Sequence, residues 1–527
     1  MRRFPRAASG LLLLLACAPA RAEPLRVGHI TIRSLNVFSP QEAASGWFYR
    51  VADALHISTR TSTVRRFLLF QEGDVYDPEQ LAQTERNLRA LPFIKLASVT
   101  ASPPHDGIVD VEVITQDGWT TEIGGSFGSK GGVTTYGVNL SEKDLLGTGR
   151  TVAVGYDKGT DRITRSFGFK DPYLFAPYWS GDLLLATTSD GHQEQLEIRR
   201  PFFSFITPWS ADLVVDNFRQ NEKLYRNGEV DQEFRQDHRT VRLLYGVALA
   251  ATETRAQRLT GGFADEEDSF DLLPGRPTQV LPENRKFRYL SLRYEDVSND
   301  FLKLNYVDRD LRYEDFNLGR QFSVRLAVSP RALGVDRTTG RVSVTVAEGW
   351  RLSAGSFLLG SLSYATRFGP VNSNALLSAT GFLAIKLDTK VIQTFVSRLQ
   401  VDLGWDLNRD FQLFADGLTG LRAYRIHSFE GNKRIIWNLE HRIFSGREIL
   451  HLVAPGAVAF VDTGTAAPEG TPLTIRSFKT DVGVGLRFGI ARAPSNNILR
   501  VDFAYAFNRD PRGRRGFLAS FSSSQAF

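Results

Sequence analysis

The chain has 527 residues, with 64 Lys and Arg against 58 Asp and Glu, a formal charge of +6 and a single cysteine. One cysteine excludes a disulfide framework, and eight histidines without metal-ligand spacing give no ground for a metal centre. No run of 18 apolar residues follows the N-terminal segment, so no transmembrane helix is expected.

Arg2, Arg3 and Arg6 precede the apolar run Leu11–Ala16, and Ala20-Arg21-Ala22 offers small residues for cleavage. Residues 1–22 therefore read as a secretory signal peptide. The cysteine, Cys17, lies inside it. Leu14-Leu15-Ala16-Cys17 loosely resembles a lipobox, which leaves lipidation as an alternative. Cleavage after Ala22 removes four arginines and no acid, so the charge falls to +2. The remaining basic residues are scattered rather than gathered in a stripe, and no nucleic-acid partner is expected.

Residues 23–118 read as a small α+β domain. Leu25–Leu35 alternates as a strand. Ser39-Pro40-Gln41-Glu42 has the form of a helix start, followed by Trp47, Val51 and Leu55 on one helix face. Thr63–Phe70 is predicted as a second short helix. A third starts at Asp77-Pro78-Glu79-Gln80, carries Leu81, Leu88 and Leu91 on its apolar face, and stops at Pro92. Ile94–Ala101 and Gly107–Thr115 then pair as a hairpin.

In residues 119–527 the period changes to two. Val482, Val484, Leu486 and Phe488 alternate with Gly483, Gly485 and Arg487, and Val501, Phe503 and Tyr505 alternate with Asp502 and Ala504. Ile435, Trp437, Leu439 and Ile443 face away from Asn438, Glu440 and Arg442. Apolar faces opposite Gly, Asp, Glu and Arg suit a barrel with lipid outside and a polar lumen. The length suffices for about sixteen antiparallel strands. Phe263–Glu283 is acidic, contains Pro and has no clear period, which predicts a long external loop. Gly124, Gly125 and Gly128 weaken the first strand. The last strand sets Phe517, Ala519, Phe521 and Phe527 on one face, with Ser523 and Gln525 between them. A weak seam between first and last strands is expected. No Gly-x-Ser-x-Gly motif or Ser/His/acid set is visible, so no catalytic residue, cofactor or metal is expected.

Several stretches, in order, resemble the BamA/TamA outer-membrane assembly superfamily. In that family a loop tip, Val/Ile-Arg-Gly-Phe/Tyr, folds back into the barrel, and its Arg pairs with the Asp of Phe-x-Asp-x-Gly on the lumen wall. Here the tip is Leu421-Arg422-Ala423-Tyr424, and the second motif is Phe460-Val461-Asp462-Thr463-Gly464, expected as a turn, with Glu440 between them. Leu145-Leu146-Gly147-Thr148-Gly149 and Asp171-Pro172-Tyr173-Leu174-Phe175 resemble early turns of the family barrel. The order β-α-α-β-β of residues 23–118 resembles one POTRA domain, with Phe38–Thr59 inserted; Gln71-Glu72-Gly73-Asp74 and Leu88–Phe93 match its pattern.

The resemblance implies a lumen latch of Arg422, Tyr424, Glu440, Asp462 and Gly464. A generic lumen ion network is the alternative. Ala423 replaces the usual Gly, which matters if that position needs a positive φ. Phe527 resembles the C-terminal aromatic signal of outer-membrane barrels. The implied function is insertion or assembly of outer-membrane proteins. Client strands would be engaged at the POTRA edge and at the seam formed by Gly124, Gly125, Gly128, Phe521 and Phe527. The alternative is a dedicated protein-secretion pore or channel, and the N-terminal domain could equally be a plug or docking unit. The implied setting is the bacterial outer membrane, with the N-terminal domain in the periplasm. The implied partners are the lipid bilayer and unfolded outer-membrane or secreted polypeptides, with room for periplasmic accessory proteins.

Overall fold

The computed structural model describes residues 24–37, 56–130, 133–176, 178–278, 280–308, 313–387, 389–450, 452–490 and 498–522. The expected signal peptide with Cys17, the helix expected from Ser39 to Leu55, and Phe527 lie outside these residues.

The N-terminal domain contains β1 (Arg26–Leu35), α1 (Thr61–Arg66), α2 (Pro78–Ala90), β2 (Ile94–Ala101) and β3 (Ile108–Asp117). The Asp77 side chain accepts the Glu79 N–H at 2.9 Å, and Pro78 fills the first helical position, so α2 begins where the sequence places it. The predicted short helix through Phe70 ends earlier, at Arg66; Leu68 and Phe70 are buried past its end. Strand β3 is central, parallel to β1 and antiparallel to β2. Val111 and Val113 on β3 pack under the helices against Ile30, Val64, Leu81 and Leu88.

Beyond this domain, twenty strands among the described residues form one sheet that closes on itself, from Thr121–Lys130 to Phe517–Ser522. About sixteen were expected. The difference comes from tight turns. Only two residues join Ser180–Thr188 to Gly191–Arg200, and two join Trp209–Arg226 to Glu229–Ala251, so less chain goes into connections than the estimate allowed. Every pair with a described register in this sheet is antiparallel. The alternation is inverted relative to a water-soluble sandwich. Leu140, Val154, Leu290, Trp437, Val484 and Phe503 stand exposed on the outside, while Glu440, Asp462 and Asp502 are fully buried within. An apolar exterior around a charged lumen is the arrangement that lipid requires.

The predicted loop Phe263–Glu283 is corrected by the structure. Strand Arg255–Leu272 runs through most of it, and only residues 273–284 connect to the next strand. Its acids are paired across the sheet: Glu266 with Arg341 at 3.1 Å, Asp265 with Arg288 at 3.4 Å, and Asp268 with Arg285 at 3.0 Å. The acid run Asp265–Asp268 puts charge on both faces, which hides the alternation.

The N-terminal domain sits against one end of the barrel, here the near end. Its seat is the turn Leu145–Gly149. Thr63 Oγ1 and the Arg60 N–H both donate to the Gly147 carbonyl, at 2.8 and 3.1 Å. Gly147 and Gly149 have φ of +71° and +74°, and Cβ atoms there would come 2.6 Å from the Ser58 carbonyl oxygen and 3.0 Å from the Phe93 ring. The glycines of the family-like turn thus serve both backbone conformation and close approach. Also at the near end, Phe301–Asn305 and Tyr313–Asn317 pair as a short hairpin that folds up into the lumen. Leu302, Leu304 and Leu318 lie against the inward-facing Phe357 and Ala384.

Thr59 joins domain and barrel. Its N–H donates to Asp117 and its hydroxyl to Asp144, each at 2.7 Å. Burial holds both carboxyls above the ordinary carboxylate range, opposed by the Thr59 hydrogen bonds. A raised carboxyl pKa means that the closed joint binds protons more tightly than the open one. The joint therefore firms as pH falls toward the ordinary carboxylate pKa and loosens as pH rises through the raised values. Limited proteolysis near Gly118 is expected to be faster at pH 8 than at pH 5, and Asp117→Asn should flatten that difference. Equal rates at both pH values would contradict the assignment.

Candidate functional site: a lumen loop held by buried ions

Residues 406–432 connect the strands Ile392–Trp405 and Lys433–Phe444 at the far end of the barrel. They fold back into the lumen. The loop is organised by Asp416, whose carboxylate accepts the N–H groups of Leu418 at 2.9 Å, Thr419 at 3.1 Å and His427 at 2.6 Å. One short side chain thereby closes both limbs of the tip. Leu421 and Tyr424 pack with Ala415, Ile436 and Ala506. The tip thus carries its own apolar core.

Arg422 points from this tip into the wall. Its Nε and Nη2 donate to the two oxygens of Asp462, each at 2.7 Å, and Nη1 donates to Glu440 at 2.6 Å. Its guanidinium carbon lies 3.5 Å from the centre of the Phe460 ring. A planar fork, a carboxylate and an aromatic face are the set that distinguishes Arg from Lys. Asn438 donates to Asp462 and to the Gly420 carbonyl, both at 2.7 Å. Tyr424 donates its hydroxyl to the Thr480 carbonyl at 3.1 Å and accepts the Asn508 N–H at 3.3 Å.

The expected latch residues therefore meet at one place, with two adjustments. Phe460–Gly464, expected as a turn, lies inside the strand Val453–Ala467; the long strand pairing on both sides keeps Asp462 straight. Gly464 does not touch Arg422. A Cβ there would come 2.7 Å from the Ile435 carbonyl oxygen, so Gly464 serves the close approach of two wall strands. Ala423 is not among the residues with positive φ. Its side chain packs beside Val458, Phe460 and Ala504, so the departure from Gly carries no backbone penalty.

The network is larger than the motifs suggest. Arg442 Nε donates to Glu440 at 2.7 Å, Arg487 Nη1 donates to Asp502 at 2.6 Å, and the Ala423 N–H donates to Asp481 at 3.3 Å. Arg422 Nη1 is also 4.0 Å from Asp502. Through these contacts the tip reaches four consecutive wall strands, Lys433–Phe444, Val453–Ala467, Lys479–Ile490 and Ile498–Ala506. Ile498–Ala506 is the neighbour of the last strand. Asp481 and Asp502 belong to no local motif, and their one sequence signal was an acid at an inward position of an alternating strand.

The seam residues are spread along two edges. Gly124, Gly125 and Gly128 lie in the first strand opposite Asn139, Val138 and Thr135. Phe521 lies half-buried in the last strand opposite Val501. The last strand is described from Phe517 to Ser522, and the first from Thr121 to Lys130.

No family model and no curated protein matches the sequence. Among solved structures, the chain is similar to BamA from Haemophilus ducreyi lacking POTRA domains 1–3, at 12% identity, covering 94% of this chain and 84% of that one, with a TM-score of 0.39. It is similar to CdiB from Acinetobacter baumannii at 11% identity, covering 94% and 73%, with a TM-score of 0.48. It is also similar to OccK5 (OpdH) from Pseudomonas aeruginosa at 10% identity, covering 76% and 93%, with a TM-score of 0.32. Such scores are too low to decide between these proteins, and the geometry of the lumen loop has to carry the functional reading.

Proposed function

We propose that this chain is an outer-membrane protein assembly or insertion factor of the BamA/TamA type, with its N-terminal domain in the periplasm. The observation that carries the reading is the position of Arg422. The loop is fixed to four wall strands that lead up to the last strand. Across the seam, the first strand carries Gly124, Gly125 and Gly128, which weaken its pairing. Opening there exposes a strand edge to lipid height, where an unfolded client can pair through its backbone. In the N-terminal domain, β2 supplies a second edge; Glu85 holds its Val99 N–H at 3.1 Å, and the neighbouring Ser98 and Thr100 are exposed. No covalent chemistry is required. Backbone pairing and burial of apolar strand faces drive the step.

The test is reconstitution in liposomes with and without residues 24–118, scoring the folding rate of an added unfolded barrel together with ion conductance. Faster folding that needs the N-terminal domain, and that is lost when a disulfide locks Gly124 to its neighbour on the last strand, supports the reading. Large steady conductance with no effect on client folding would instead favour a dedicated protein-secretion pore or channel. Unchanged folding activity with the seam locked would remove the seam from the mechanism.

A further inference from the structure

The hairpin Phe301–Asn317 touches both the N-terminal domain and the lumen network. Toward the domain, Arg89 on α2 donates to Asp315 at 2.9 Å, and the Arg86 guanidinium carbon lies 4.8 Å from the centre of the Phe301 ring. Along the lumen wall, Lys386 Nζ donates to Asn305 at 2.7 Å, and Thr394 Oγ1 donates to the Tyr306 carbonyl at 2.6 Å. Toward the centre, Arg442 Nη1 donates to the Val307 carbonyl at 2.8 Å and to Asp308 at 2.7 Å. Arg442 also holds Glu440, and Glu440 holds Arg422. A continuous set of packed and charged groups thus runs from α2, through the hairpin, to the tip of the loop that enters from the opposite end.

We propose that this hairpin is an inner plug that couples docking of the N-terminal domain to closure of the lumen loop. With the domain seated, Arg86 and Arg89 hold the base of the hairpin. Its far part then presents Asp308 to Arg442, which keeps Arg442 and Glu440 aligned for Arg422. When a polypeptide draws α2 away from the hairpin, Asp308 withdraws. Arg442 then competes for Glu440 without its second carboxylate, and the loop is held less firmly. Linkage makes the coupling reciprocal, so a released loop also weakens domain docking. The device is independent of whether the barrel inserts or exports its client.

Two features suit it to a switch rather than a static filler. The hairpin has five-residue strands that, among the described residues, pair only with each other, so it can move as a unit without breaking the barrel ladder. Its apolar side, Leu302, Leu304, Val307 and Phe316 against Phe357, holds the seated position, whereas the polar contacts give direction to the motion.

The test exploits the lack of cysteine after residue 22. A single Ala415→Cys probe, fully buried within the loop's own core, reports loop opening by its rate of alkylation in the full reconstituted chain. Arg89→Ala and Asp308→Ala are each expected to raise that rate by between about 5- and 150-fold, the usual range of coupling between sites. The double variant is expected to match the stronger single one, because both interrupt one route. Distant independent sites would multiply their effects. Arg33→Ala, on β1 away from the hairpin, should leave the rate unchanged. If either single variant labels at the parent rate, or if the two effects multiply, the coupling is wrong and the hairpin is only packing.

Discussion

Replacing Arg422 by Glu is expected to release the lumen loop while the barrel wall stays folded. In the parent, one guanidinium satisfies Asp462 through paired bonds and Glu440 through a third, at distances of 2.6–2.7 Å. All three groups are withdrawn from water, so the ion network is not a large net source of stability; it selects one position of the loop. Removing one partner is different, because it leaves uncompensated charge behind, at a cost of about 3–5 kcal/mol. The Glu variant adds a third anion against Asp462 and Glu440. The loop core of Leu421 and Tyr424 is too small to resist this. Proteolysis within residues 406–432 and ion conductance should both rise sharply, while the heat-modifiable gel shift of a folded barrel remains. Arg422→Lys should fall between, since it keeps charge but cannot make the paired bonds. A Glu variant with a protected loop and parent conductance would reduce the network to ordinary lumen charge.

A second large effect is expected far from the lumen, from Leu88→Ala. Leu88 is fully buried at the centre of the N-terminal domain, where α2 covers the sheet. Deleting its isobutyl group should cost about 2–5 kcal/mol, a large part of the stability of a small domain. The domain transition in a thermal melt should fall by more than about 10 °C, while the barrel transition stays in place. Under the proposed insertion function, client folding should fail at temperatures where the parent still works. A domain transition that does not move would mean that docking on Leu145–Gly149, rather than this core, maintains the domain.

Much of this architecture is written in local patterns. Alternation identified the barrel, because lipid outside and charge inside force opposite chemistry onto neighbouring residues. The cap at Asp77 and the stop at Pro92 marked α2. Arg422 and Asp462 were visible because each sits in a short motif. What escaped reading depends on contacts between distant residues. The second half of Arg255–Leu272, from Phe263 on, looked like the start of a loop because its acids are neutralised by arginines on other strands. The hairpin at Phe301 alternates like any wall strand, and nothing local says that it turns into the lumen instead. Asp481 and Asp502 join the latch only because neighbouring wall strands carry them to the loop tip, and Asp308 only because the hairpin folds into the lumen and reaches Arg442. Twenty strands rather than sixteen followed from turns too short to register as breaks.

The three longest neighbouring strands have a consequence of their own. Trp209–Arg226, Glu229–Ala251 and Arg255–Leu272 contain 18, 23 and 18 residues, where many others in the wall have nine or ten. At about 3.3 Å per residue, the longest covers roughly 75 Å of strand, while the apolar band of such barrels is about 25 Å tall. Even with a strand tilt near 40°, this sector rises well above the bilayer on the side away from the N-terminal domain. The rim is therefore lopsided, like a cup with one raised lip. Whatever approaches from that side meets a tall, charged, hydrogen-bonded wall first.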